Sequence, residues 1–139
     1  MSAAEVVAVA AGCAALATDL STRTIPNWLP AASVAAGLGC GFWAGGPAGL
    51  GMAAAGTAAG FLIFLALHWL GGMGGGDVKL MAGFGALLGP AGIVAAAVVA
   101  AIAGALMATA VLLWRPRQAA IPYAPAIVTG VWIVLMGRN

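Results

Sequence analysis

The sequence predicts an all-α, polytopic membrane protein with about six transmembrane helices in one bundle. Of its 139 residues, 64% are apolar and only 6% are charged, and the mean hydropathy is +1.13. A soluble domain carries about 25% charged residues, so this chain has too few charges to cover a surface in water. Apolar sequence runs nearly from end to end, and the length fits a single membrane-embedded domain over residues 1–139.

The first two apolar runs are separated by a short polar segment. A run of about 20 apolar residues crosses a bilayer as a helix. The first run covers about Ala3–Leu20. A cleaved secretory signal would need a Lys or Arg before its apolar run. None precedes this run, so we expect it to remain as a helix. The polar segment covers residues 21–27, and the second run, Trp28–Trp43, ends at Gly45-Gly46-Pro47.

The remaining apolar sequence predicts four more helices. The third run, about Ala48–Leu70, is followed by the glycine-rich segment 71–76. The next run, Val78–Trp114, is too long for one crossing. Gly89-Pro90 divides it into a short helix and a longer one, because proline removes a helix hydrogen bond and clashes with the preceding turn. The last run covers about Ala119–Met136.

The basic residues predict which way the bundle faces. Because successive crossings alternate sides, Arg23, Lys79 and the pair Arg115 and Arg117 all follow odd-numbered helices and share one face. The other face is expected to hold Arg138. The positive-inside rule assigns the first face to the cytoplasm, which puts both ends of the sequence outside.

Two of the three acidic residues are expected at that cytoplasmic edge. Asp19 ends the first helix and Asp77 follows the third, so both lie at one level. Carboxylates at membrane depth are costly and indicate function. Two held close together do not both ionise easily, so the pair supplies a general base and a general acid. This pattern predicts peptide hydrolysis by a water held between them, without a metal or a nucleophilic side chain.

Other roles for the two aspartates stay open at this point. Asp19 could pair with Arg23, four residues on, and Asp77 could cap the fourth helix or pair with Lys79. Paired membrane carboxylates also serve small transporters and proton-conducting subunits, which is the main alternative function. Transport favours carboxylates near the midplane of the bilayer, whereas both of these map to one face. A membrane assembly partner without chemistry, and a protease that cuts within a substrate helix, are the remaining alternatives.

The glycine-rich segment before Asp77 has a more specific interpretation than a hinge. It is not a phosphate loop, because Asp77 stands where such a loop needs Lys followed by Ser or Thr. Gly74, Gly75 and Gly76 instead offer a backbone without side chains, against which an extended substrate lies beside Asp77.

Two motifs resemble the signatures of the type IV prepilin leader peptidases. Asp19–Asn27, which reads DLSTRTIPN, is similar to the first signature, an aspartate followed at this distance by Ile-Pro-Asn. Gly74–Leu80, which reads GGGDVKL, resembles the second, a GxGD element followed by Lys. Pro122–Ala126 resembles a weaker third one that opens the last helix. Order and spacing agree over most of the chain.

The resemblance implies an aspartic endopeptidase with Asp19 and Asp77 as its catalytic pair and no cofactor. The implied substrates are pilin-like precursors, cut after a short basic leader and before a hydrophobic helix, at the cytoplasmic face of a bacterial-type inner membrane. Long members of the family carry an extra cytoplasmic segment tied to N-methylation of the new terminus. Nothing in this sequence corresponds to it, so no methyltransferase activity is expected. The chain resembles the short branch that serves Flp-type, tight-adherence pili.

Further motif residues are candidates for binding substrate or shaping the loops. Arg23 and Lys79 are expected to anchor the cytoplasmic face, or else to stabilise the loops or contact lipid phosphates. Lys79 is also a candidate for tuning the charge state of Asp77. Pro26 presets the turn before the second helix, and Asn27 is expected to cap that helix.

The expected partners are a pilin-like precursor and the lipid bilayer. A net charge of +2 without a basic patch predicts no nucleic-acid partner. The chain has one histidine, His68, so no metal site is expected. Cys13 and Cys40 lie in apolar stretches and are expected to be free and buried. The sequence leaves open the oligomeric state, the cognate precursor and which aspartate acts as the base.

Overall fold

The protein is built from four α-helices, in a computed structural model that describes residues 1–71, 73–114 and 123–138. Three of these helices are long and apolar enough to cross a membrane, and the fourth is apolar but shorter. No strand occurs among the described residues. The predicted all-α fold is therefore confirmed, and the apolar helices fit a membrane protein. In chain order the helices are α1 (Ala3–Thr22), α2 (Trp28–Trp69), α3 (Gly75–Trp114) and α4 (Ala124–Gly137).

A glycine interrupts both α2 and α3. As straight helices their 42 and 40 residues would each be about 60 Å long, twice the ~30 Å thickness of a hydrocarbon core. Gly46 has φ 58° and Gly89 has φ 73°, values that glycine adopts without strain. A proline follows each glycine and ends the preceding helix. These breaks divide α2 into arms α2a (28–45) and α2b (47–69), and α3 into arms α3a (75–88) and α3b (90–114).

The arms of each broken helix fold back on each other. Gly41 and Gly49 touch through their backbones, although eight residues of straight helix would separate them by about 12 Å. In α3, Met81 and Ile93 come from different arms but both pack against Gly60 of α2b. Each glycine-proline pair therefore reverses the chain direction.

The arm α3a lies at the centre of the bundle. Every residue from Met81 to Leu88 is buried. Gly56 of α2b and Gly85 of α3a approach so closely that a Cβ on either glycine would overlap the other's backbone. Small residues permit such close approach between helices in lipid, where packing rather than water exclusion holds helices together. This contact sets the position of α3a, which carries Asp77 at its beginning.

The helices α1 and α4 complete the bundle. At the start of α1, the backbone N–H of Ser2 donates to Glu5 Oε2 at 2.7 Å, and the N–H of Glu5 donates to Ser2 Oγ at 3.3 Å. This capping box satisfies two donors that the helix leaves unpaired. Gly12 of α1 packs against Trp132 of α4. The predicted start of the last helix, Ala119, lies outside the described residues.

Two predicted details are wrong. The third long helix begins at Gly75 rather than Val78, so Gly75 and Gly76 form a helical turn instead of a loop. The first N–H groups of a helix have no partner within it, and the Asp77 carboxylate is favoured at the positive end of the helix dipole.

Cys13 and Cys40 are free, but Cys13 is exposed and Cys40 only half-buried.

The close contact of α2b with α3a predicts a sharp difference between two glycines on one helix. Gly56→Ala places a methyl group against the backbone of Gly85, whereas a Cβ on Gly51 meets nothing within 4 Å. We expect Gly56→Ala to lower the free energy of unfolding by about 1–3 kcal/mol. Gly51→Ala should be neutral or slightly stabilising, because alanine favours the helix by up to about 1 kcal/mol. Thermal unfolding in detergent measures both, and equal melting temperatures for the two variants would contradict the packing described.

Candidate active site

Asp19 and Asp77 line one cavity at one end of the bundle. The cavity has a volume of about 300 Å³ and is formed by the end of α1, the loop that leads to α2 and the start of α3. The two carboxyl groups, which come from different helices, therefore share one space. The residues that line the cavity are Asp19, Arg23, Thr24, Ile25, Asn27, Gly74, Gly76, Asp77 and Lys79.

Asp19 is the buried acid of the site. It lies near the end of α1 and is 9% exposed. Its Oδ2 atom has no hydrogen-bond partner among the described residues. The hydroxyls of Thr18 and Thr22 donate to helix carbonyls four residues back, at 3.0 and 2.8 Å, so they are satisfied without it. A buried carboxylate oxygen without a partner destabilises the fold, and such a group indicates a functional role.

Arg23 turns the chain directly after Asp19. It ends α1 in the left-handed conformation, with φ 53° and ψ 27°, and its N–H donates to the carbonyl of Asp19 at 2.9 Å. Positive φ is uncommon outside glycine, so this turn is a specific feature of the loop. It directs Thr24 and Ile25 into the cavity wall, while the exposed Arg23 side chain adds a positive charge to the rim.

A hydrogen bond between Lys79 and Asn27 lies at one edge of the cavity. Lys79 Nζ donates to Asn27 Oδ1 at 3.0 Å and joins the start of α2 to α3. Asn27 occupies the N-cap position of α2 but makes no side-chain cap bond, so the predicted cap is wrong. Its oxygen instead accepts from a charged ammonium group, which forms a stronger hydrogen bond than a neutral amide. Residues two apart on a helix do not face each other, which explains why Lys79 reaches Asn27 rather than Asp77.

Bare glycine backbone flanks Asp77. The N–H of Asp77 donates to the carbonyl of Gly74 at 3.2 Å. A Cβ on Gly74 would lie 3.7 Å from Asp77 Oδ2, and a Cβ on Gly75 would meet nothing within 4 Å. Both glycines are exposed. A hydrogen bond of 2.7 Å between His68 Nδ1 and the carbonyl of Met73 ties this loop to the end of α2. The surface beside the carboxyl group is therefore held in place and open to a ligand.

The cavity wall differs from the predicted set of site residues in four positions. Pro26 and Gly75 are not among the lining residues, whereas Thr24 and Ile25 are. Pro26 instead accepts the N–H of Leu29 at 3.1 Å in the turn that starts α2. Ile25 is close to Gly76, where a Cβ would lie 3.5 Å from Ile25 Cβ. Ile25 belongs to the Ile-Pro-Asn element, so the sequence carried a signal for it.

The described residues of the third motif, Tyr123–Ala126, are not among those that line the aspartate cavity. Pro122 falls outside the described residues. A Cβ on Gly104 of α3b would overlap the Tyr123 ring and its hydroxyl oxygen, so the ring packs directly on the α3b backbone. Pro125 stands in the first turn of α4, where its missing N–H removes no helix bond. The described part of this motif therefore packs α4 against α3b.

A family model described as the type IV leader peptidase family matches residues 6–109. The chain belongs to the type IV leader peptidase family. The match includes Asp19–Asn27 and Gly74–Leu80, so both halves of the cavity wall lie inside the family region. The membership confirms the resemblance drawn from the two motifs.

Curated proteins also match the chain in sequence. Three of these relatives are each named prepilin leader peptidase/N-methyltransferase. The Burkholderia pseudomallei (strain 1026b) relative is 35% identical over 132 residues, which cover 85% of this chain and 42% of the relative. The Aeromonas hydrophila relative is 34% identical over 66% of this chain and 35% of its own length. The Bacillus subtilis (strain 168) relative is 43% identical over 54% of this chain and 32% of its own length.

This leader peptidase family member thus spans between about a third and two-fifths of these relatives. No solved structure matches the chain.

The unpartnered oxygen of Asp19 predicts a gain in stability when the carboxylate is removed. Asp19→Leu replaces a buried polar group by an apolar one of similar shape, and we expect it to raise the free energy of unfolding by about 1–3 kcal/mol. Ser33→Ala is the matched control, because Ser33 is also buried but donates to the carbonyl of Leu29 at 2.9 Å. It should leave stability unchanged or lower it slightly. Chemical unfolding in detergent checks the sign, and a destabilised Asp19→Leu protein would contradict this reading of the site.

Proposed function

We propose that the chain is an aspartic endopeptidase that removes the short N-terminal leader from type IV or Flp pilin-like precursors, with Asp19 and Asp77 as its catalytic pair. One observation carries the proposal: the aspartates of the two family motifs line the same cavity beside exposed glycine backbone. The relatives' shared name supports the same reaction. The proposal concerns the peptidase step, and no methyltransferase step is assigned to these residues.

The chemistry requires one carboxylate and one carboxylic acid. The carboxylate takes a proton from a water held between the two side chains, and the oxygen of that water attacks the scissile carbonyl carbon. The carboxylic acid donates its proton to the carbonyl oxygen, which gives a tetrahedral diol. As that intermediate collapses, the C–N bond breaks, the leaving nitrogen gains a proton from the protonated member of the pair, and one diol hydroxyl gives its proton to the other member. This step releases the amine and the carboxylic acid product and restores one carboxylate and one carboxylic acid in the pair. The two groups titrate as a coupled pair, so the roles belong to the pair rather than to either residue.

Peptide hydrolysis fits the described residues better than ion conduction. Asp19 and Ser33 are the buried polar or charged side chains in the described ranges, and the Ser33 hydroxyl is bonded within its own helix. Proton or cation transport needs a polar path to the opposite face of the membrane. The described part of the chain offers the carboxylates a cavity at one end instead.

We further propose that the arms of α2 and α3 cross the bilayer separately, giving six crossings with the cavity at the cytoplasmic face. Ser2, Gly89 and Arg138 line a second cavity. Ser2 and Asp19 are 17 residues apart along α1, a separation of about 25 Å, which is close to the thickness of a hydrocarbon core. Arg23 and Lys79 lie at the aspartate end, and the positive-inside rule favours that end as cytoplasmic. The predicted contributions of Arg115 and Arg117 fall outside the described residues.

Conversion of each carboxylate to an amide tests the catalytic pair. We expect Asp19→Asn and Asp77→Asn each to slow cleavage of a co-expressed pilin precursor by about a hundredfold or more, because each removes one half of the acid–base pair. Loss of the leader is read by gel shift and by the mass of the new N-terminus.

The matched control is Glu5→Gln. Glu5 is the third acidic residue, it lies at the far end of α1, and glutamine preserves its capping box. Full cleavage by Glu5→Gln with loss of cleavage in both aspartate variants supports the proposal, provided that all three proteins insert in the membrane. Undiminished cleavage by either aspartate variant contradicts the two-aspartate mechanism.

The bare backbone next to Asp77 predicts that bulk at Gly74 blocks the substrate. Among the described residues, a Cβ there meets Asp77 Oδ2 at an ordinary 3.7 Å and nothing closer, so Gly74→Leu should fold. We expect cleavage to fall about tenfold or more, because small displacements of the reacting groups are costly. Gly51→Leu, which adds the same side chain to an open position of α2b, should cleave normally. Wild-type cleavage rates in Gly74→Leu would exclude this surface as the substrate's path.

A further inference from the structure

An apolar groove runs from the aspartate cavity along the outside of the bundle. It consists of two adjoining depressions of about 340 and 320 Å³ that share Val34, Phe61 and Ala82. The first depression also shares Asn27 and Lys79 with the aspartate cavity. The hydrogen bond between those two side chains therefore marks the place where the polar cavity passes into the apolar groove.

The two arms of α2 form the walls of this groove. Ala31, Val34 and Leu38 of α2a line one wall, at the three- and four-residue spacing that places side chains on one helix face. Ala54 and Ala58 of α2b line the other. From residue 27 to residue 38 the wall is about 16 Å long, or three helical turns. Its small side chains leave room for the close approach of another helix.

The open side of the groove faces away from the protein. Ala31, Ala54 and Ala58 are exposed, and Phe61 is 40% exposed. In a membrane this surface faces lipid, so its occupant is apolar. A peptide occupant is also helical there, because a backbone in lipid has to satisfy its own hydrogen bonds.

We propose that the groove seats the hydrophobic helix that follows the cleavage junction of the precursor. The inference rests on the proposed function and adds to it the path of the substrate. A junction held extended beside Asp77 leads past Lys79 directly into the groove, since the two spaces share that residue. The substrate is then extended in the cavity and helical beyond Asn27. Recognition of the helix by α2 places the junction at the carboxyl groups.

Filling the groove tests the proposal against a matched site on the same helix. Ala58 lines the groove, whereas Ala55 is exposed on α2b outside it. We expect Ala58→Phe to lower kcat/KM for the full precursor by about tenfold or more, in the range of a lost hydrophobic subsite, relative to Ala55→Phe. The preparation must be one in which wild type cleaves and Asp77→Asn does not. If kcat/KM is then equal for Ala58→Phe and Ala55→Phe, the groove does not bind the substrate helix, while the proposed function still stands.

Crosslinking gives a second measurement that does not depend on turnover. Ala58→Cys or Ala55→Cys is placed in an Asp77→Asn chain in which Cys13 and Cys40 are replaced by alanine, and the precursor carries single cysteines along its hydrophobic helix. We expect adducts with Ala58→Cys at precursor positions three or four apart, and several-fold fewer with Ala55→Cys. Equal labelling at both positions, or none at Ala58→Cys, means that the groove holds lipid and the proposal is wrong. Failure of wild type to cleave would instead count against the proposed function, while the adducts still decide the groove.

Discussion

The contact between the backbones of Gly56 and Gly85 is the interaction on which the rest of the structure depends. It brings α2b and α3a closer together than any side chain would allow. The bundle therefore encloses α3a and fixes where this arm begins along the bundle. Asp77 lies in its first turn. In a membrane, apolar side chains gain little free energy by moving from lipid into the protein. Close packing of small residues holds the helices together instead. The glycines at such contacts, Gly56 and Gly85, are therefore a requirement of the fold.

The site contains one group, the Asp19 carboxyl, that lowers the stability of the fold. Around Asp19, the hydroxyls of the last turns of α1 bond to the helix's own carbonyls. Lys79 and Asn27 satisfy each other, and the glycine loop is tied to His68. The Asp19 carboxyl group is left buried with an unpartnered oxygen. Neighbouring groups thus hold the cavity in shape while the acidic group stays available, which is how a preorganised site differs from a stable core.

Features that depend on local chemistry were predictable from the sequence. The breaks at Gly46 and Gly89 follow from glycine's freedom and from the proline after each of them. Asp19 and Asp77 were expected at one end of the bundle because two predicted crossings separate them, and both line one cavity. The start of α3 was misjudged because glycine disfavours helix interiors, whereas Gly75 and Gly76 occupy a first turn that lacks internal hydrogen bonds.

Features that depend on distant parts of the chain were not predictable. The bond between Asn27 and Lys79 joins residues 52 positions apart, and no local pattern distinguishes it from the helix cap that was expected. The groove between α2a and α2b arises from the angle at which the two arms diverge after Gly46. Both arms pack against α3a, α2a through Gly37 and α2b through Gly56. In the sequence, the apolar residues that line the groove look like any other membrane-facing helix surface.

The action of both carboxyl groups on one water is tested most directly with a non-cleavable substrate peptide. The peptide would carry a hydroxyl-bearing tetrahedral carbon at the scissile position, which mimics the diol intermediate and should bind more tightly than the substrate. Its dissociation constant would be measured for wild type and for each single aspartate-to-asparagine variant in lipid nanodiscs. If both carboxyl groups hold the diol, each variant loses affinity by about tenfold or more. Unchanged affinity in either variant would mean that its aspartate does not touch the reacting atoms, and the paired mechanism would be wrong.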